Sequence, residues 1–222
     1  MKKQLFVLAF FLLPLCLMAQ EESNKFQLGF TGSPNIGWLQ VTNDGTSNMT
    51  SENPKVGFSY GVLGDIGFAR NYYFSTAFVV TTINGNSSVS NINTGPGTGN
   101  IDYTWKIRYI EVPLTLKLKS NDNNGIKYYG QFGLGTGVKI SARQDFITRN
   151  ASGTPFGDNL NISDNVNTLR LSLVAGGGTE WQVGPDLRVL TGLTLNNGFT
   201  NTLDGSDQLR NSYLALTLGI FF

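Results

Sequence analysis

Lys55-Val56-Gly57-Phe58-Ser59-Tyr60-Gly61-Val62-Leu63-Gly64-Asp65-Ile66-Gly67-Phe68-Ala69 carries the reading that decides the fold. In an extended chain Val56, Phe58, Tyr60, Val62, Ile66 and Phe68 fall on one side. Gly57, Ser59, Gly61, Asp65 and Gly67 fall on the other, with Leu63 the exception. A period of two marks a β-strand. Its length exceeds the five or six residues usual in globular sheets and suits a tilted crossing of a lipid bilayer, which takes about 9 to 11 residues.

The same alternation recurs outward from this stretch, near residues 26–38, 72–83, 103–119, 126–140, 167–183, 187–197 and 209–222. In 103–119, for example, Ile110, Val112, Leu114, Leu116 and Leu118 oppose Tyr109, Glu111, Pro113, Thr115 and Lys117. Short turns at Arg70-Asn71, Asn121 to Gly125 and Gly184-Pro185-Asp186 alternate with long polar connections near 39–54, 84–102, 141–166 and 198–208. Membrane barrels whose termini both lie in the periplasm order their short turns and long outer loops in this way. The pattern predicts an all-β fold: an eight-stranded antiparallel up-and-down transmembrane β-barrel with short periplasmic turns and long extracellular loops.

A soluble barrel would also alternate, so the face opposite the apolar one decides. It is rich in Gly, Ser, Thr and Ala with isolated charges, which suits a cramped interior, while the apolar face is almost free of charge. A Lys or Arg facing the midplane of the lipid would cost about 2–4 kcal/mol. Aromatic residues near strand ends, among them Tyr72, Tyr73, Tyr103, Trp105, Tyr128, Tyr129, Trp181, Phe221 and Phe222, are expected to form interfacial girdles.

The N-terminus opens with Lys2-Lys3, an apolar run from Leu5 to Met18 and an abrupt polar switch at Gln20. This layout predicts a signal peptide over residues 1–19 and a barrel domain over 20–222, exported to a bacterial outer membrane. The one cysteine, Cys16, falls inside the leader. Loss of Lys2 and Lys3 leaves 14 basic residues against 15 acids, so no charge-driven partner such as nucleic acid is implied. The chain has no histidine, the commonest general base and metal ligand.

Arg108-Tyr109-Ile110-Glu111-Val112-Pro113-Leu114-Thr115-Leu116-Lys117 resembles a stretch of the PorT-like outer-membrane β-barrel proteins of the Bacteroidota. The Ala19-Gln20 junction and the terminal Phe222 resemble that group too. The resemblance implies an eight-stranded barrel, makes Phe222 a signal to the barrel-assembly machinery and allows an accessory role in protein secretion.

No catalytic, cofactor or metal site is expected. Gly133-Leu134-Gly135-Thr136-Gly137 lacks the full nucleotide-loop spacing and no helical pattern follows it, so its glycines are expected to make room in the lumen. Asp65, Glu111, Lys117, Lys127, Arg170, Glu180 and Arg188 are the candidate site residues, read as a structural charge network inside the barrel. Glu111 needs a cation, either Arg108 if the strand kinks or a Lys or Arg of a neighbouring strand. Pro113 cannot donate to a ladder, so a local bulge or a water is expected to relieve its neighbour. The expected role is a non-enzymatic membrane protein, embedded in outer-membrane lipid, whose outer loops meet extracellular or secretion-system proteins. A lipid-modifying enzyme or a narrow pore ranks lower.

Overall fold

The computed structural model describes residues 26–42, 48–93, 98–149, 157–203 and 208–222, so the expected signal peptide lies outside the described residues. The strands are β1 (Phe26–Thr42), β2 (Met49–Ser51), β3 (Lys55–Ala69), β4 (Tyr72–Asn93), β5 (Thr98–Lys119) and β6 (Ile126–Arg149). They continue with β7 (Leu160–Asn161), β8 (Leu169–Gln182), β9 (Arg188–Gly198) and β10 (Gln208–Phe221). Antiparallel pairing runs β1-β3-β4-β5-β6-β8-β9-β10 and closes on β1, giving a ring of eight strands. The short β2 and β7 pair on to β4 and β6 near the long-loop end. Closure gives each of the eight ring strands a paired neighbour on both sides, which is what allows strands to sit in hydrocarbon.

The oily sides of the strands face outward. Phe26, Val56, Phe132 and Leu193 are 59%, 71%, 58% and 55% exposed, whereas Asp65 and Glu180 on the opposite sides are sealed from solvent. Soluble monomers rarely expose contiguous apolar patches beyond a few hundred Å². A wall of Leu, Phe, Val and Ile all round the ring therefore has hydrocarbon as its solvent. On β5 this belt runs from Leu118 to Ile110. At ~3.3 Å per residue and a tilt of about 40° that is roughly 20 Å of height, close to the apolar band of outer-membrane barrels.

Above Ile110 and Val80 the pattern reverses. Asn84 and Asn86 on β4 and Lys106 and Arg108 on β5 now share the outward side. Ile83, Ile107 and Trp105 are buried inside with Leu39 and Leu209. A register shift at Arg108/Tyr109 against Ser141/Lys139 carries β6 into the same arrangement, with Ala142 inward and buried and Arg143 outward. A wall wetted on the outside packs its apolar side chains inward, so the reversal marks where lipid gives way to water.

This extension corrects the expected loops. Residues 84–102 are not one long connection, because β4 and β5 stay paired up to Asn93 and Thr98. Residues 141–149 likewise continue β6. The chain after residue 157 turns back into the barrel mouth: Val166, with Ile162 and Leu203, packs on Ile83, Ile107 and Ala142. The Lys139 ammonium donates to the carbonyls of Ser163 and Val166 and ties this cap down.

The bulge expected at Pro113 is absent. Pro113 pairs with Gly135 in an unshifted β5–β6 ladder. On its other side the β4–β5 ladder skips from Thr76↔Leu114 to Val79↔Glu111 in the same register, and the Thr76 hydroxyl donates to the Pro113 carbonyl at 2.9 Å. The β1–β10 ladder skips in the same way beside Pro34, where Thr31 Oγ1 donates to the Leu218 carbonyl at 2.7 Å. A threonine hydroxyl thus occupies a carbonyl beside each break, and no extra residue is needed.

Candidate functional site

Strand parity sends every second residue inward, so the charges of Asp65 (β3), Lys117 and Lys119 (β5) and Glu180 (β8) converge at the short-turn end. Lys117 Nζ lies 2.9 Å from Asp65 Oδ2 and 3.7 Å from Glu180 Oε1. Lys119 Nζ lies 2.9 Å from Asp65 Oδ2 and 2.7 Å from Glu180 Oε1. Two ammonium groups and two carboxylates cancel in charge, and Ser75 adds a 2.6 Å hydrogen bond to Asp65 Oδ1. In a low dielectric such a quartet survives because each charge meets opposite charge and hydrogen-bond partners.

Aromatic rings close the quartet. Lys117 Nζ lies 4.9 Å from the Tyr129 ring centre and Lys119 Nζ 4.3 Å from that of Tyr73, with Phe221 near both. These three residues were expected in the girdle. Adjacent strand residues face opposite sides, so Tyr72, Tyr128 and Phe222 point outward and their neighbours point in. Trp105 is buried too, its indole donating to Ser87 at 2.8 Å, and it leaves the girdle entirely.

A second cluster lies higher in the lumen. Arg170 (β8) donates through Nη1 to Glu111 Oε1 at 2.7 Å and through Nη2 to the Asn211 carbonyl at 3.1 Å. Tyr213 donates to Glu111 Oε2 at 2.7 Å. The guanidinium carbon sits 5.8 Å and 5.7 Å from the ring centres of Tyr109 and Tyr213. The partner of Glu111 is thus the cation of another strand, while Arg108 points outward and is exposed. Between the clusters lies a cavity of about 100 Å³ lined by groups such as Ser33, Ser59, Gln131 and Asn196.

The remaining sequence candidates sit apart. Lys127 and Arg188 face the lumen nearer the short-turn rim, and neither makes an ion pair among the described residues. Phe222 pairs by its backbone N–H with the Leu28 carbonyl at 2.9 Å, and its exposed ring lies 5.6 Å from Phe30. Lys119, absent from the sequence candidates, shares the parity of Lys117, which is the signal that could have found it. The glycines of the 133–137 run do lie where space is short: a Cβ on Gly133 would stand 2.1 Å from the Leu114 carbonyl oxygen.

A model of the outer membrane protein beta-barrel domain matches residues 18–203. The chain belongs to this family. It is an outer-membrane β-barrel protein of bacteria, with its turns periplasmic and its tall hairpins extracellular. Among solved structures it is similar to OprG of Pseudomonas aeruginosa, at 10% identity and a TM-score of 0.45 over 89% of this chain and 95% of that one. Neisserial surface protein A is similar at 10% identity and a TM-score of 0.41, over 87% and 95%. The outer membrane protease OmpT of Escherichia coli is similar at 9% identity and a TM-score of 0.38, over 92% and 99%. No curated protein matches the sequence.

Proposed function

We propose that the chain is a non-enzymatic surface protein, in which a rigid membrane ring holds the extension built on β4, β5 and β6 above the outer leaflet for contact with other molecules. The observation that carries this reading is the reversal of inside and outside above Ile110, which makes that extension a self-packed, water-facing body. The lumen supports it. The quartet, the Arg170 cluster and the Val166 cap lie one above another, and their charges are spent on each other. Such a filled interior fits anchorage better than conduction or catalysis.

The resemblance of Arg108–Lys117 to PorT-like proteins supports a second reading, an accessory of protein secretion. Its distinctive residues, however, serve construction. Glu111 meets Arg170, Pro113 opens the ladder and Lys117 meets Asp65. A stretch shared for these reasons speaks to how the barrel is built and leaves its task to the extracellular extension.

The test uses cells lacking the gene and complemented with the full chain or with a chain whose residues 86–104 are replaced by a short turn. Trimming should leave the barrel folded and the secreted proteome unchanged while the complement of surface-bound proteins and adhesion to solid supports change. A secreted proteome that collapses on gene deletion would replace this reading with the secretory one.

A further inference from the structure

We infer that the outer wall carries a binding site for the phosphate of an outer-leaflet lipid headgroup, built from Lys106, Arg108 and Arg143. These residues line a groove of about 380 Å³ on the outer side of β4, β5 and β6, together with Thr82, Asn84 and Ser141. The groove begins one register row above the apolar row of Val80, Ile110 and Val138 on the same strands, with the exposed Ile140 at the β6 bulge between the two. It therefore stands at headgroup height, with an apolar wall for acyl chains directly beneath.

The charge arrangement asks for an anion. Lys106 on β5 is register partner to Arg143 on β6, and like charges directly opposite each other are unfavourable in a sheet. Asp145 compensates one of the three cations, lying 2.5 Å from Lys106. Arg108 and Arg143 are exposed and have no ion-pair partner among the described residues. No other outward-facing stretch of the described strands beside the apolar belt gathers cations in this way. Two guanidinium forks match the geometry of a phosphate group, and basic pockets at this depth take lipid headgroups. In the floor of the groove Asn84 is held in place by donating to the Val56 carbonyl at 2.7 Å.

The experiment measures binding of phosphorylated lipid A, of dephosphorylated lipid A and of inorganic phosphate to the purified full chain in neutral-detergent micelles. The variants are Arg108→Gln with Arg143→Gln, each single change, and Arg70→Gln at the opposite rim as a charge control. Heat-modifiable electrophoretic mobility reports folding, and the single variants serve if the double one does not fold. The double variant should bind phosphorylated lipid A about thirtyfold more weakly, each single variant less so, and Arg70→Gln should match the native chain. Equal affinity of native and variant chains, or equal affinity for the dephosphorylated lipid, would overturn the site. Inorganic phosphate binding as tightly as the lipid would overturn the lipid assignment. None of these readouts depends on the extension tips, so the proposed surface role stands or falls separately.

Discussion

Lys119 Nζ stands 2.7 Å from Glu180 Oε1, an ion pair sealed inside the barrel wall between strands β5 and β8, which are not neighbours in the ring. Lys119→Met would leave Asp65 and Glu180 sharing Lys117 alone, with an uncompensated buried charge. The cost expected for a broken buried pair is about 3–5 kcal/mol. Urea unfolding of the folded barrel in micelles should show a clearly lower midpoint. Adding Glu180→Leu to Lys119→Met removes the orphaned charge and should restore much of the loss; an unimproved double variant would mean that the pair contributes through packing alone.

Arg170 tests the upper cluster differently, because its fork spans Glu111 and Asn211 while its flat face lies near two tyrosine rings. Arg170→Lys keeps the charge and loses the fork and the stacking. A lower unfolding midpoint and a changed near-ultraviolet circular dichroism from Tyr109 and Tyr213 are expected. A variant indistinguishable from the native chain in both would reduce the cluster to simple charge balance.

Much of this interior was legible in the sequence, and the limits of that legibility are physical. Period two assigns Asp65, Glu111, Lys117, Arg170 and Glu180 to one face without any coordinates, and the same rule applied to Tyr72-Tyr73, Tyr128-Tyr129 and Phe221-Phe222 divides each doublet between lipid and lumen. Which acid meets which base is a matter of register accumulated across several strands. Glu111 finds Arg170 on a strand that alternation alone cannot align with its own. The extracellular extension was hidden because its polar residues face water, as loop residues do. On β4 Gly85 and Ser87 follow Ile83 on the inward side and blur the apolar pattern, whereas on β5 Tyr103, Trp105, Ile107 and Tyr109 keep it, and only their swap of side relative to Ile110 and Leu114 marks the reversal.

Gly133 and Gly130 make a matched pair on β6. A Cβ at Gly133 would come within 2.1 Å of the Leu114 carbonyl oxygen, whereas at Gly130 it meets nothing within 4 Å. Gly133→Ala must push β5 away and is expected to slow assembly and lower the unfolding midpoint, by an amount in the range of ~1–3 kcal/mol for overpacking. Gly130→Ala should be nearly silent. Equal effects would show that helix-disfavoured, strand-neutral chemistry at these positions matters more than space.

Asp145 lies above the apolar belt, where a hydrogen bond from Lys106 is the main influence holding its carboxyl below the ordinary aspartate value. A folded-state value lower than the unfolded one means that the pair contributes fully above the unfolded value, about 3.9, and is lost as pH falls through the folded one. Carbon-detected NMR titration should find Asp145 below the ordinary range and returning toward it in Lys106→Gln. The contribution to stability is small, because both side chains are partly exposed.

The boundary between lipid and water can be located residue by residue in a Cys16→Ser background, since Cys16 is the chain's only cysteine. Ile110→Cys and Arg108→Cys place a thiol on the same outward side of β5, two residues apart and on opposite sides of the boundary. A thiol reacts as the thiolate, which hydrocarbon suppresses and water allows. A membrane-impermeant maleimide added to intact cells should therefore label Arg108→Cys and spare Ile110→Cys, while Ile107→Cys, turned into the packed interior of the extension, should also be spared. Labelling at both outward positions would push the boundary toward the periplasm and leave the basic groove well clear of the headgroups.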